Sequence, residues 1–161
     1  MRAPLLMLAL LVLAAGGMAR QGNDELRQMA VRAAREAGIQ PALLLSVGEQ
    51  ESEHRANPPR RAGDGTGPMQ IKPGTWAWYG CTGARGIAWH EYRCGARILA
   101  ALLARYDNNA CLAVQAYRDG SARRPCPRKG SYAEQVLWRV QHWEMQAAVK
   151  GPPRMIPHNG G

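Results

Sequence analysis

Apolar residues recur every three or four positions along most of this chain, and no stretch of useful length alternates apolar with polar residues. A strand needs a two-residue period to present one apolar face, whereas a 3.6-residue period lays an apolar stripe along a helix. The pattern therefore predicts an all-α fold. Asn23 to Gly38 carries Leu26, Met29, Ala30, Ala33 and Ala37 at helical spacing, with Asn23 or Asp24 as a cap and Gly38 as the stop. A second helix is predicted from Pro41, whose fixed φ suits a first turn, to about His54, before Asn57-Pro58-Pro59. Thr75 to Tyr79 reads as a short helical turn. Glu91 to Tyr106 turns Ile98, Leu99, Leu102 and Leu103 inward, and Ala110 to Tyr117 fits another short helix. Ser131 can cap a last helix reaching about Val149, with Val136, Leu137, Val140, Trp143 and Ala147 on its apolar side. With 161 residues, 46% hydrophobic and 20% charged, the chain suffices for one globular core and has no internal repeat.

The ends read differently from this middle. Met1-Arg2 precedes an apolar run from Leu5 to Ala15, and Gly17-Met18-Ala19 offers the small residues of a signal-peptidase site. Residues 1–19 are thus expected to be a signal peptide cleaved after Ala19, which places the product in the periplasm or outside the cell. The run is shorter than the roughly 20 apolar residues that span a bilayer, so no stable membrane span is expected after cleavage. Residues 20–150 form the predicted domain. The tail 151–161, with three Pro and three Gly, is expected to be disordered.

Cys81, Cys94, Cys111 and Cys126 match no zinc or redox spacing, and an even number in an exported chain reads as two disulfides. Three connectivities are open. Cys81–Cys94 with Cys111–Cys126 is favoured, because each bridge joins a loop to a neighbouring helix. Such loops gain roughly 3 kcal/mol per bridge in the chain-entropy description.

A formal charge of +9 favours polyanionic partners, among them nucleic acid, anionic lipid and acidic wall polymers. The arginines are scattered apart from Arg60-Arg61 and the cluster from Arg123-Arg124 to Arg128-Lys129. Without a basic helix, a Cys/His finger or interleaved aromatic strands, no nucleic-acid partner is expected. His54, His90, His142 and His158 lack metal-ligand spacing, so neither metal nor cofactor is expected.

Chemistry concentrates in two neighbouring segments. Glu49-Gln50-Glu51-Ser52-Glu53 crowds three acids at the end of an apolar helix. Glu49 and Glu53 share a side, while Glu51 lies roughly 160° from Glu49 on the line of Leu44, Val47 and Gly48. If that line faces the protein body, Glu51 alone is partly desolvated, which suits a carboxyl to donate a proton near neutral pH. Gly63-Asp64-Gly65-Thr66-Gly67-Pro68-Met69-Gln70-Ile71 then forms a glycine-rich loop. Its glycines permit close backbone approach, and Gln70 offers a donor and an acceptor to hydroxyl or acetamido groups. A phosphate cradle would need a closing Gly-Lys-Ser/Thr, which is missing.

Taken in order, these pieces resemble the soluble lytic transglycosylase family, whose catalytic domain is lysozyme-like. Glu51-Ser52 resembles its Glu-Ser pair, Gly67-Pro68-Met69-Gln70 its Gly-x-Met-Gln segment, and Ala116-Tyr117-Arg118-Asp119-Gly120 its Ala-Tyr-Asn-x-Gly segment. The resemblance spans roughly Ile39 to Trp143. It implies a single lysozyme-like domain cleaving peptidoglycan between N-acetylmuramic acid and N-acetylglucosamine, with a 1,6-anhydro product. Glu51 is then the catalytic acid and base, and Ser52, Gly67, Met69, Gln70 and Tyr117 attend the substrate. Tyr117 either hydrogen-bonds Glu51 or stabilises positive charge on the sugar. Two residues depart from the pattern: Arg118 stands in the Asn position and could meet an acidic peptide stem, and Pro68 stands in the Leu position. The small size resembles members that accompany secretion, pilus or conjugation machines. A hydrolytic lysozyme, with Asp64 or Asp119 as second carboxylate, and an inactive wall-binding or structural component remain the alternatives.

Overall fold

The computed structural model describes residues 22–58 and 64–150. The expected signal peptide and the expected disordered tail lie outside the described residues. Among the described residues six helices follow one another: α1 (22–36), α2 (Pro41–Ser52), α3 (Pro73–Trp78), α4 (Ala88–Arg105), α5 (Ala110–Asp119) and α6 (Tyr132–Lys150). The fold is all-α. Among the described residues the extended pairing is an isolated bridge between Thr66 and Ile71.

The helix ends show which local signals held. Gly38 takes a positive φ of 69°, and the Ile39 amide reaches back to the Ala34 carbonyl, closing α1. Asn109 caps α5 by accepting from the Leu112 amide, and Ser131 does the same for α6 through the Glu134 amide. Helix α4 starts at Ala88, three residues before the expected Glu91. Its extra turn carries Trp89, which is covered by the Arg32 guanidinium from α1 at 4.7 Å. This tertiary contact leaves no periodic trace in α4 itself.

Helix α2 stops at Ser52, two residues before the expected His54. Glu53 and His54 both adopt left-handed backbone, with φ of 55° and 56°. Their amides return to the Glu49 and Gly48 carbonyls. A left-handed non-glycine residue costs on the order of 1–2 kcal/mol, so something must offset two in succession. The His54 ring does so: it is fully buried, and its Nδ1 lies 2.8 Å from the Tyr92 hydroxyl of α4. The reversal also leaves Glu51 on the last helical turn, where α2 opens toward the loop that follows.

Helix α2 packs against α6 and α4, and α5 packs between α4 and α6. Leu43, Leu44 and Val47 of α2 meet Ile98, Leu99 and Leu102 of α4, Val114 of α5 and Val136 of α6 in one core. Each such side chain contributes roughly 1.5–3 kcal/mol of burial. The expected stripe on α6 is shorter than its pattern, because Ala147 is exposed. Both favoured disulfides are present: Cys81–Cys94 ties the segment after α3 to α4, and Cys111–Cys126 ties α5 to the segment before α6.

Burial pushes the His54 pKa down to about 4, with the Arg27 charge adding to the effect and the Leu45 backbone opposing it. The unfolded chain takes up this proton near pH 6.5, whereas the folded chain refuses it until about pH 4. His54 therefore costs no stability above pH 6.5 and progressively more as the pH falls toward 4, reaching about 3 kcal/mol. Urea titrations at pH 7 and pH 4 should show this loss in the native protein. A His54→Asn variant, which tolerates left-handed backbone, should lose about 3 kcal/mol less over the same interval.

Candidate active site

The bridge between Thr66 and Ile71 closes a tight turn over Gly67, Pro68, Met69 and Gln70. Gly67 and Gln70 take positive φ values of 60° and 50°, and the Gln70 side-chain amide donates back to the Gly67 carbonyl at 2.9 Å. Three helices hold this turn in place. Ser52 of α2 donates its hydroxyl to the Pro68 carbonyl at 2.9 Å. Tyr117 of α5 donates to the Met69 carbonyl at 2.9 Å. From α4, Glu91 accepts the Thr66 hydroxyl at 2.7 Å and the Gly86 amide at 2.9 Å through one oxygen. Met69 lies fully buried beneath the turn, its side chain filling the space left by Gly95.

Glu51 projects from the last turn of α2 into a cavity of about 910 Å³, which Gln70, Tyr117, Arg118 and Tyr132 also line. The Glu51 carboxylate accepts a 2.5 Å hydrogen bond from the Tyr132 hydroxyl at the start of α6. Half-buried Glu51 shares this cavity with the Gln70, Tyr117 and Arg118 side chains. The acids on either side diverge from it: Glu49 accepts from the Trp143 indole at 3.1 Å, and Glu53 pairs with Arg55 at the surface.

Both tyrosines keep their protons. Burial raises the Tyr132 and Tyr117 pKa values well above 10, and the Glu51 charge raises them further. Each hydroxyl therefore works as a donor, Tyr132 toward Glu51 and Tyr117 toward the loop. Glu91 is also raised, chiefly by burial, against the Gly86 amide, the Thr66 hydroxyl, the Arg85 charge and the Ile71 amide. It is wholly inaccessible, and its second oxygen makes no hydrogen bond.

The structure brings Glu51, Gln70 and Tyr117 together around one cavity, with Gly67, Met69 and Ser52 in the layer behind. Ser52 and Met69 do not line the cavity; their contacts run to the turn and to the core. Asp119 lines the cavity and Asp64 does not. Among the described residues, no group of three or more His, Cys, Asp or Glu is placed to hold a metal ion. Sequence reasoning passed over Tyr132 and Glu91. Tyr132 carries no local signal, lying 81 positions from its partner. Glu91 sits at a position that helical phase places with buried Gly95, Ile98 and Leu102, a buried acid that was readable in principle.

Residues 28–135 match the transglycosylase SLT domain, and the chain belongs to that family. Its fold is accordingly the lysozyme-like fold, and its general activity is that of a peptidoglycan-degrading lytic transglycosylase. No curated protein matches the chain. No helix among the described residues is long and apolar enough to cross a membrane.

A side chain at Gly67 has no room: an added Cβ would stand 2.5 Å from Cγ of Glu91, at a φ of 60°. Gly67→Ala should cost about 2 kcal/mol or more from strain and overpacking together. Thermal unfolding should register the loss, and activity should fall with it as the turn bearing Gln70 shifts.

Proposed function

We propose that this protein is exported, loses residues 1–19, and cleaves peptidoglycan glycan strands at the β-1,4 bond between N-acetylmuramic acid and N-acetylglucosamine. Glu51 is the single catalytic acid and base. The observation that carries this reading is the Glu51 carboxyl held by Tyr132 in a cavity shared with Gln70 and Tyr117. Protonated Glu51 gives its hydrogen to the glycosidic oxygen as the bond to the muramoyl C1 breaks. The resulting carboxylate then takes the proton of the muramoyl C6 hydroxyl, whose oxygen bonds to C1 and closes the 1,6-anhydro ring. The proton is returned, and no water is consumed.

Two-carboxylate glycosidases hold their second acid across the scissile bond. Glu91 lies behind the turn, with its carboxyl directed to Thr66 and Gly86. Asp119 reaches the cavity and favours the hydrolytic alternative, but it sits 3.8 Å from the Arg118 guanidinium at the exposed end of α5. The single-acid route uses only the group that the structure anchors. In this scheme Ser52, Gly67 and Met69 position the turn, while Gln70 meets the acetamido sugars. Tyr117 fixes the Met69 carbonyl and faces the developing charge on the sugar. In this reading the exported domain opens the wall for a secretion, pilus or conjugation apparatus.

Three measurements test the reading. Glu51→Gln should abolish release of soluble muropeptides from purified sacculi while leaving the unfolding transition unchanged, and Tyr132→Phe should slow it about 10- to 100-fold by freeing the acid's orientation. Mass spectrometry of the native enzyme's products should find them lighter than the hydrolytic ones by one water. Products of the heavier mass would establish the hydrolytic alternative. N-terminal sequencing of the exported protein should begin at Arg20.

A further inference from the structure

The last turn of α5 places a cation beside the acid. The Arg118 guanidinium carbon lies 5.1 Å from the centroid of the Tyr132 ring, the ring whose hydroxyl donates to Glu51. Arg118 lines the cavity, and so do Lys72 and Arg105. The acids lining it are Glu51 and Asp119. Asp119 answers Arg118 at 3.8 Å, with both side chains more than half exposed. Water and salt weaken such a pair, so it does little to satisfy the guanidinium. Stacking on an aromatic face fixes the guanidinium plane and leaves its edges for hydrogen bonding, and that planar fork suits a carboxylate better than any other small anion except phosphate.

We propose that Arg118 is a substrate-binding residue that takes a free carboxylate of the peptide stem borne by the muramoyl residue, so that the enzyme favours strands with anionic stems. This rests on the reading of the cavity as a glycan-strand site. The cleaved bond leaves the muramoyl C1, so Glu51 and the stem-bearing sugar must be neighbours. A cation one ring away from Glu51 is therefore within the territory of the stem.

The probe is purified sacculi, native or with their stem carboxylates converted chemically to amides. The native enzyme should release product from native sacculi about tenfold faster than from amidated ones, the size expected for one charge-assisted contact. In Arg118→Gln that ratio should fall toward one. Arg35→Gln, which removes an equal charge from an exposed site on α1, should keep the native ratio and so separate a specific contact from the general field of a basic protein. Binding of the Glu51→Gln protein to the two kinds of sacculi gives a readout that needs no catalysis. It should show the same carboxylate dependence, lost in Glu51→Gln/Arg118→Gln. Carboxylate-dependent binding through Arg118 without cleavage by the native protein would support this inference while defeating the catalytic reading. An unchanged ratio in Arg118→Gln, or equal binding to both kinds of sacculi, would overturn it.

Discussion

Everything at this site depends on two backbone carbonyls being tied down. The oxygens of Pro68 and Met69 belong to a glycine-rich turn with little side-chain bulk, and loops of that kind wander unless something fastens them. Ser52 and Tyr117 fasten them, one from the end of α2 and the other from α5. Ser52 follows Glu51 directly in the chain. The hydroxyl that fixes the turn and the carboxyl proposed to do the chemistry therefore move as one rigid piece. Gln70, next to Met69, is brought into register with the acid by the same pair of bonds.

Beneath the turn, Glu91 supplies the third attachment at a less obvious cost. A buried acid with an unsatisfied oxygen is unfavourable unless its other contacts repay the desolvation. Its partners are the Thr66 hydroxyl, at the bridge that closes the turn, and the Gly86 amide, in the segment before α4. Gly67 is needed because Glu91 approaches so closely that no Cβ fits between them. A glycine that looked like a provision for substrate approach is also a provision for a carboxyl on the opposite side.

Much of this was legible in the sequence, and the rest was hidden for physical reasons. The helical class, the placement of most helices and the inward face of α4 follow from periodicity, because burial of one stripe dictates it. Glu51 stood out by phase and by its place ahead of the glycine-rich turn. The end of α2 was misplaced because Glu53 and His54 adopt left-handed backbone without glycine, a choice made affordable by burying the His54 ring against Tyr92. Trp89 extends α4 for a similar reason, through an arginine of another helix. Ser52 and Met69 stand in the segments that resemble the family's, yet pattern matching cannot tell a side chain that touches a ligand from one that holds the backbone behind it. Burial makes that distinction.

The two tyrosines show how distant elements converge on one site, Tyr132 holding the acid and Tyr117 the turn beside it. Tyr117 and Tyr132 come from α5 and α6, and both remain donors because burial and the negative charge of Glu51 oppose their ionisation. A donor that cannot ionise gives its acceptor a fixed direction, which a water molecule would not. Their separation is set by the packing of α5 on α6 and by Cys111–Cys126, which ties α5 to the segment entering α6. The Ser131 cap fixes where α6 begins, and hence where the Tyr132 hydroxyl falls. An acid that gives up a proton and later takes one back, as proposed for Glu51, gains from such a frame, since both transfers need the same oxygen in the same place. The disulfide and the cap thus belong to the site as much as to the fold, because they locate the hydroxyl that aims the acid.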